Sequence, residues 1–160
     1  MAVVCAGIKS ILDIGLTLEY LETFGVPVIG YGTTSLPGFY SRDSGFDVDV
    51  RLDDPDQIAR VMKENWSLGL QSGIVIANPI PELYALPREI IDGAINQALA
   101  QADTEGISGK AVTPYLISRI TELTAGVSSS SSIQLGLNNA KLAASLAVAF
   151  SAISARRLPD

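Results

Sequence analysis

The chain has 160 residues, of which 48% are hydrophobic and 18% charged, a composition typical of one folded domain. Its formal net charge of −6 argues against a protein that grips the phosphate backbone of nucleic acids. Histidine is absent, so this chain alone cannot build a Ser-His-Asp triad, a Cys-His dyad or a His-ligated zinc site. Cys5 is the single cysteine, which excludes an internal disulfide.

The spacing of apolar residues predicts alternating strands and helices along the chain. Strands are predicted at residues 2–6, 26–31, 46–52 and 73–77. Helices are predicted at residues 10–24, 55–70, 88–101, 115–123 and 135–154. Asp53 or Asp54 is expected to cap the second helix, which starts near Pro55, and Pro114 is expected at the first helical position of the fourth helix.

Two segments lack this periodicity and predict loops. Residues 33–45 are rich in turn formers and predict an ordered loop. Residues 126–132 include a run of serines and predict a flexible connector. The serine hydroxyls and the next helix N-terminus also suit a phosphate group, but a connector is the simpler interpretation.

The alternation of strands and helices predicts the α/β class, with helices on both faces of a sheet. The predicted strands are few for so many helices, so part of the sheet is expected to lie outside this sequence. The longest apolar stretch, residues 140–153, is too short to cross a bilayer and predicts a buried helix. The start lacks the basic region of a secretory signal, so a soluble protein is expected.

Lys9 is the strongest candidate for chemistry. It follows a predicted strand and Gly7, at the kind of strand end where open α/β sheets bind ligands. An amine held there can attack a carbonyl and form an imine. A solvated lysine at the start of a helix is the alternative interpretation.

Other polar side chains have simpler explanations. Asp43 and the remaining carboxylates are possible acids or bases, but no partner is visible in the sequence. Asp47 and Asp49 are predicted on one solvated face of a strand. Trp66 is expected in the core, and Cys5 is expected to be an inert residue of a buried strand.

Several segments together resemble the pseudouridine-5'-phosphate glycosidases. The segments are VVCAGIKSIL (3–12), LPGFYSR (36–42), FDV-x-VRLD (46–53), IVIANPIPE (74–82), GK-x-VTPYLISRITELT (109–124) and LNNA (137–140). They extend over nearly the whole chain, and their combination is far more specific than any one of them.

The resemblance implies an activity and a nucleophile. Members of that family reversibly cleave the C–C glycosidic bond of pseudouridine 5'-phosphate to uracil and ribose 5-phosphate. The lysine of their VVCAG-x-KS motif, here Lys9, forms the Schiff base. The resemblance also implies an α/β/α sandwich with a mixed, mainly parallel sheet, a homotrimer and a cytoplasmic location. The net charge and the short apolar stretches predict no nucleic-acid or membrane partner.

The family pattern is incomplete in this sequence. Residues 1–160 correspond to the C-terminal half of the family's single domain. The N-terminal half carries the glutamate proton donor, much of the phosphate site and the aspartate that binds a divalent metal, usually Mn²⁺. Ser132 stands where the family has an active-site asparagine, so that role is not carried over. An inactive remnant and a sugar-phosphate binding module therefore remain as alternatives.

Overall fold

The computed structural model describes residues 1–9 and 12–155. Four strands are formed there: β1 (Ala2–Cys5), β2 (Val28–Tyr31), β3 (Val50–Leu52) and β4 (Ile74–Ala77). Five α-helices accompany them: α1 (Ile14–Thr23), α2 (Pro55–Ser67), α3 (Arg88–Thr104), α4 (Val112–Leu123) and α5 (Val127–Ala155). Short 3₁₀ turns lie at Glu82–Tyr84 and Gly109–Ala111.

The strands form one sheet in the order β1-β4-β2-β3, with three parallel pairings. Alternate strand residues point to opposite faces. On one face, Ile29, Ile74 and Ile76 pack with side chains from α2 and α5, namely Ile58, Met62, Leu142 and Leu146. On the other face, Val28 and Ala77 pack with Ile14 of α1. The predicted α/β class with helices on both faces is confirmed.

A second core joins α3 to α4 beside the sheet. Ile91, Ile95 and Ala98 of α3 pack against Leu116 and Ile120 of α4. The buried ring of Tyr40 closes the same cluster. This packing fixes the loop that precedes β3 against α3 and α4.

The prediction that residues 126–132 form a flexible connector is wrong. Helix α5 begins at Val127, eight residues before the predicted start at 135, and includes the whole serine run. Ser128 and Ser131 are three residues apart and both are buried. The Ser131 hydroxyl donates to the Tyr84 carbonyl oxygen at 2.7 Å. Tertiary contacts thus outweigh the weak helix propensity of serine, which is about 0.5 kcal/mol per residue less favourable in a helix than alanine.

Among the elements that are shorter than predicted, β3 and α1 differ most at their starts. Only Val50–Leu52 of the predicted strand 46–52 pairs as a strand, and Asp47 makes an isolated bridge to Ser35. Helix α1 begins at Ile14 rather than at residue 10, because the Asp13 side chain caps it by accepting from the Leu16 amide. Residues 10 and 11 of that prediction lie outside the described residues.

Of the two predicted caps of α2, Asp54 is the one that forms, because its carboxylate accepts from the Asp56 amide at 2.9 Å. Asp53 instead pairs with Arg51 at the surface. Within the described residues, no helix has both the length and the apolar character needed to cross a membrane.

Candidate active site

Lys9 lies just beyond the carboxyl end of β1, at the strand end where the sequence placed it. Gly7 allows the chain to turn away from the end of β1 towards Lys9. Its φ is +84°, and a β-carbon built there would stand 1.8 Å from the Pro37 carbonyl oxygen. Glycine is therefore required where the segment leading to Lys9 crosses the loop that contains Pro37.

The Lys9 amine lies over an aromatic ring. Its Nζ is 5.0 Å from the centroid of the Phe39 ring, within the range of a cation–π interaction. Lys9 as a whole residue is half-buried. An amine in this position can react with a carbonyl compound that enters from the solvent side.

Ser132 of α5 borders the same loop. Its hydroxyl lies 3.4 Å from the Tyr40 hydroxyl and donates to the Ser128 carbonyl oxygen at 2.9 Å. The Tyr40 ring meets the Phe39 ring edge-on, with centroids 4.9 Å apart. The structure thus connects Lys9 to Ser132 through two adjacent aromatic rings.

The segment after β4 is held to α5 by three asparagines that the sequence analysis did not single out, namely Asn78, Asn138 and Asn139. Asn78 is buried, and its Nδ2 donates to Oδ1 of Asn139 at 3.1 Å. Asn138 Nδ2 donates to the Pro79 carbonyl oxygen, also at 3.1 Å. The prolines of the NPIP stretch interrupt regular strand pairing, and a side chain of α5 satisfies the Pro79 carbonyl oxygen instead. The signal in the sequence was the NN pair of the LNNA segment.

Asp43 is held as a carboxylate within its loop. Its Oδ1 accepts from the Ser35 hydroxyl at 2.5 Å and from the Gly45 amide at 2.7 Å. The Ser35 and Gly45 hydrogen bonds, with a smaller contribution from Arg88, hold the pKa of Asp43 below its ordinary value. An acid that stays ionised is a poor proton donor near neutral pH. Asp43 is therefore better explained as a residue that stabilises its loop through hydrogen bonds.

The other residues singled out from the sequence have structural roles. Asp49 accepts from the Val28 amide at 2.8 Å and so anchors the start of β2. Trp66 packs edge-on against Phe150 of α5, with centroids 5.3 Å apart. Burial raises the pKa of the Cys5 thiol, which lowers its thiolate fraction. In residues 1–9 and 12–155, no three His, Cys, Asp or Glu side chains come together as a possible metal centre.

A polar cleft of about 330 Å³ borders the loop on which Asp43 lies. Its lining includes Asp13, Ser41, Ser44 and Arg88, but not Lys9. The buried Ser44 hydroxyl has no hydrogen-bond partner among the described residues. The cleft is therefore distinct from the surroundings of the amine, and its polar lining identifies no particular ligand.

The family model described as "Indigoidine synthase A like protein" matches residues 1–149. The chain belongs to the indigoidine synthase A-like family. Among curated relatives of this family member, the pseudouridine-5'-phosphate glycosidase of Hahella chejuensis is 57% identical over 150 residues. The enzyme of the same name from Escherichia coli is 56% identical over 147 residues. The resemblance predicted from the sequence segments is confirmed.

Two solved structures share the fold of this chain. The prealnumycin C-glycosynthase AlnA, crystallised in complex with ribulose 5-phosphate, matches with a TM-score of 0.91 at 41% identity over 98% of this chain. An indigoidine synthase A-like protein from Thermotoga maritima matches with a TM-score of 0.78 at 30% identity over 94% of this chain. These likenesses support the predicted sandwich architecture.

The match covers nearly all of this chain but only about half of each relative. It covers 94% of this chain and 50% of the Hahella enzyme, and 92% of this chain and 47% of the E. coli enzyme. The two solved structures are covered over 52% and 49% of their chains. The chain therefore spans about half the length of the relatives it matches.

Proposed function

We propose that this chain supplies the Schiff-base lysine of an enzyme that reversibly cleaves pseudouridine 5'-phosphate to uracil and ribose 5-phosphate. The observation that carries the proposal is the placement of Lys9 beyond β1, half-buried on the Phe39 ring. Two comparisons support it. Relatives over nearly the whole chain are named pseudouridine-5'-phosphate glycosidases, and AlnA was crystallised with a sugar phosphate.

Lysine chemistry suits a carbon-bound base, which is a poor leaving group for simple oxocarbenium cleavage. In the proposed reaction the Lys9 nitrogen bonds to C1 of the ribose as the ring C–O bond opens, and a proton from that nitrogen passes to the ring oxygen. The C1–C bond to uracil then breaks, the nitrogen lone pair forms a C=N⁺ iminium, and the uracil carbon takes a proton. Water finally hydrolyses the iminium, which releases ribose 5-phosphate and the free Lys9 amine.

The proton donor and the metal ligand that the proposed reaction needs lie outside this sequence. The chain has no histidine, and the resemblance places the glutamate proton donor and the aspartate of the Mn²⁺ site in the other half of the family's domain. In this proposal the manganese belongs to that half. The cytoplasmic location and the homotrimer that the resemblance implies are likewise proposals.

Reductive trapping tests the role of Lys9. We expect borohydride reduction with ribose 5-phosphate to add the mass of the sugar phosphate at Lys9, mapped by peptide mass spectrometry. The experiment is run on this chain alone and with the N-terminal half of the Hahella relative supplied as a separate chain. Lys9→Ala should abolish the adduct, and Lys9→Arg should too, because a guanidinium stays protonated and forms no imine.

Lys141→Ala is the matched control, because it removes an exposed lysine of α5 and should leave the adduct unchanged. An adduct at Lys110 or Lys141 instead of Lys9 would contradict the assignment. Binding of ribose 5-phosphate without any trapped imine would favour the sugar-phosphate binding module.

A further inference from the structure

Phe39 combines two features that distinguish it from an ordinary packing residue. Its backbone is left-handed, with φ at +70°, a conformation that is unusual for a bulky side chain. Its ring lies under the Lys9 amine. Strained backbone of this kind persists only where the surrounding structure enforces it, and it is frequent at functional sites.

Several contacts hold Phe39 in this conformation. Its amide donates to the Ala6 carbonyl oxygen at 3.0 Å, which ties the loop to the end of β1. An antiparallel bridge between Gly7 and Gly38 adds a second link. The Tyr40 amide donates to the Gly38 carbonyl oxygen at 2.9 Å, and the Tyr40 ring stands against one side of Phe39. The ring is therefore fixed relative to the same segment that carries Lys9.

We propose that Phe39 is a positioning residue that holds the Lys9 nitrogen and stabilises the cation formed there during the reaction. The inference rests on the proposed function, because that function supplies the iminium. The face of an aromatic ring carries negative charge density and attracts a cation placed over it. Any positive charge on the Lys9 nitrogen, whether of an ammonium or of the iminium that C–C cleavage leaves, then lies over the ring.

This role predicts two effects of opposite sign when the ring is removed. Without the ring the ammonium loses a stabilising contact, so the neutral, nucleophilic amine becomes more available. The iminium loses the same contact, so less imine accumulates with a sugar phosphate. A cation–π contact of ordinary strength corresponds to a change of about two- to fivefold in each measurement. A purely structural role for Phe39 would not separate the two effects in this way.

The experiment compares Phe39→Leu, Phe39→Tyr and a series with increasingly fluorinated phenylalanines at position 39. Fluorination weakens the negative ring face with little change of shape, so it remains informative even where Phe39→Leu fails to fold. The first readout is acylation of Lys9 by a neutral reagent at pH 8, without substrate. The second is the fraction of Lys9 trapped by borohydride with ribose 5-phosphate.

Expected results are faster acylation and less trapping in Phe39→Leu, graded changes along the fluorinated series, and near-normal values in Phe39→Tyr. Phe24→Leu, which changes an exposed phenylalanine after α1, is the control and should alter neither readout. Equal behaviour of Phe39→Leu and Phe39→Tyr, or acylation that is insensitive to fluorination, would overturn the inference. Absence of any imine in the unsubstituted protein would refute the proposed function instead, since the acylation readout needs no substrate.

Discussion

At the scale of single residues, the charge of Asp43 is coupled to the stability of its loop. Hydrogen bonds from the Ser35 hydroxyl and the Gly45 amide hold the pKa of Asp43 below its ordinary value in the folded chain. The unfolded chain therefore binds a proton at higher pH than the folded chain does. The stabilisation from Asp43 is present at neutral pH and is lost as the pH falls through its unfolded and then its folded pKa.

We expect Asp43→Asn to lower the free energy of unfolding at pH 7, with the difference from the unsubstituted protein vanishing in acid. The effect is moderated by solvent because the side chain is exposed. Urea denaturation at a series of pH values between 7 and 3 measures the difference. Asp47→Asn removes an exposed charge without touching the Ser35 and Gly45 hydrogen bonds, and its difference should show no such trend. A constant difference for Asp43→Asn would contradict the prediction.

The position of Lys9 could be predicted from the sequence, whereas the surroundings of its amine could not. The strand end and Gly7 are local features, readable from an apolar run followed by a glycine. The left-handed conformation of Phe39 carries no such mark, because it is imposed by distant contacts with Ala6 and Gly7. The Asn78–Asn139 contact joins residues 61 positions apart, and nothing in the local pattern pairs them.

At the scale of elements, the start of α5 shows how packing extends a helix beyond its local signals. We expect Ser131→Ala to destabilise the protein by about 1 kcal/mol, because the buried hydroxyl donates to the Tyr84 carbonyl oxygen. Ser130→Ala, at an exposed neighbouring position, should be stabilising by about 0.5 kcal/mol, because alanine is the better helix former. Urea denaturation measures the change in the free energy of unfolding for each variant. If this segment were a flexible loop, neither change would alter stability.

Element types were predictable wherever periodicity and capping residues agreed. Helix α2 has Asp54 as its cap and Pro55 at its first position, and the prediction found both signals. The prediction failed where tertiary contacts determine which residues join a helix or a strand. The serine run has no apolar periodicity, and the 46–52 segment alternates like a strand although only its last three residues pair with β2.

At the scale of the whole molecule, β1 is an edge strand within the described structure. It pairs with β4 on one side, and its residue Val3 is 46% exposed. Helix α5 adds apolar side chains that face outward, among them Ile133, Leu137 and Val148. Parallel sheets are normally covered on both faces, and an apolar edge strand offers unpaired backbone groups to another chain.

The chain by itself is therefore expected to self-associate and to have little or no glycosidase activity. Light scattering of the purified chain should detect oligomers, and absorbance should detect little conversion of pseudouridine 5'-phosphate with Mn²⁺ present. General acid catalysis is typically worth about 10²–10⁴-fold in rate, and the proposed proton donor is not in this sequence. Val3→Lys should reduce the association, because a charge on an edge strand opposes strand pairing. Leu83→Lys, which changes an exposed side chain in a 3₁₀ turn away from the sheet, should leave the association unchanged. A stable monomer that turns over as fast as full-length relatives would contradict the prediction, and would mean that these residues contain the whole active site.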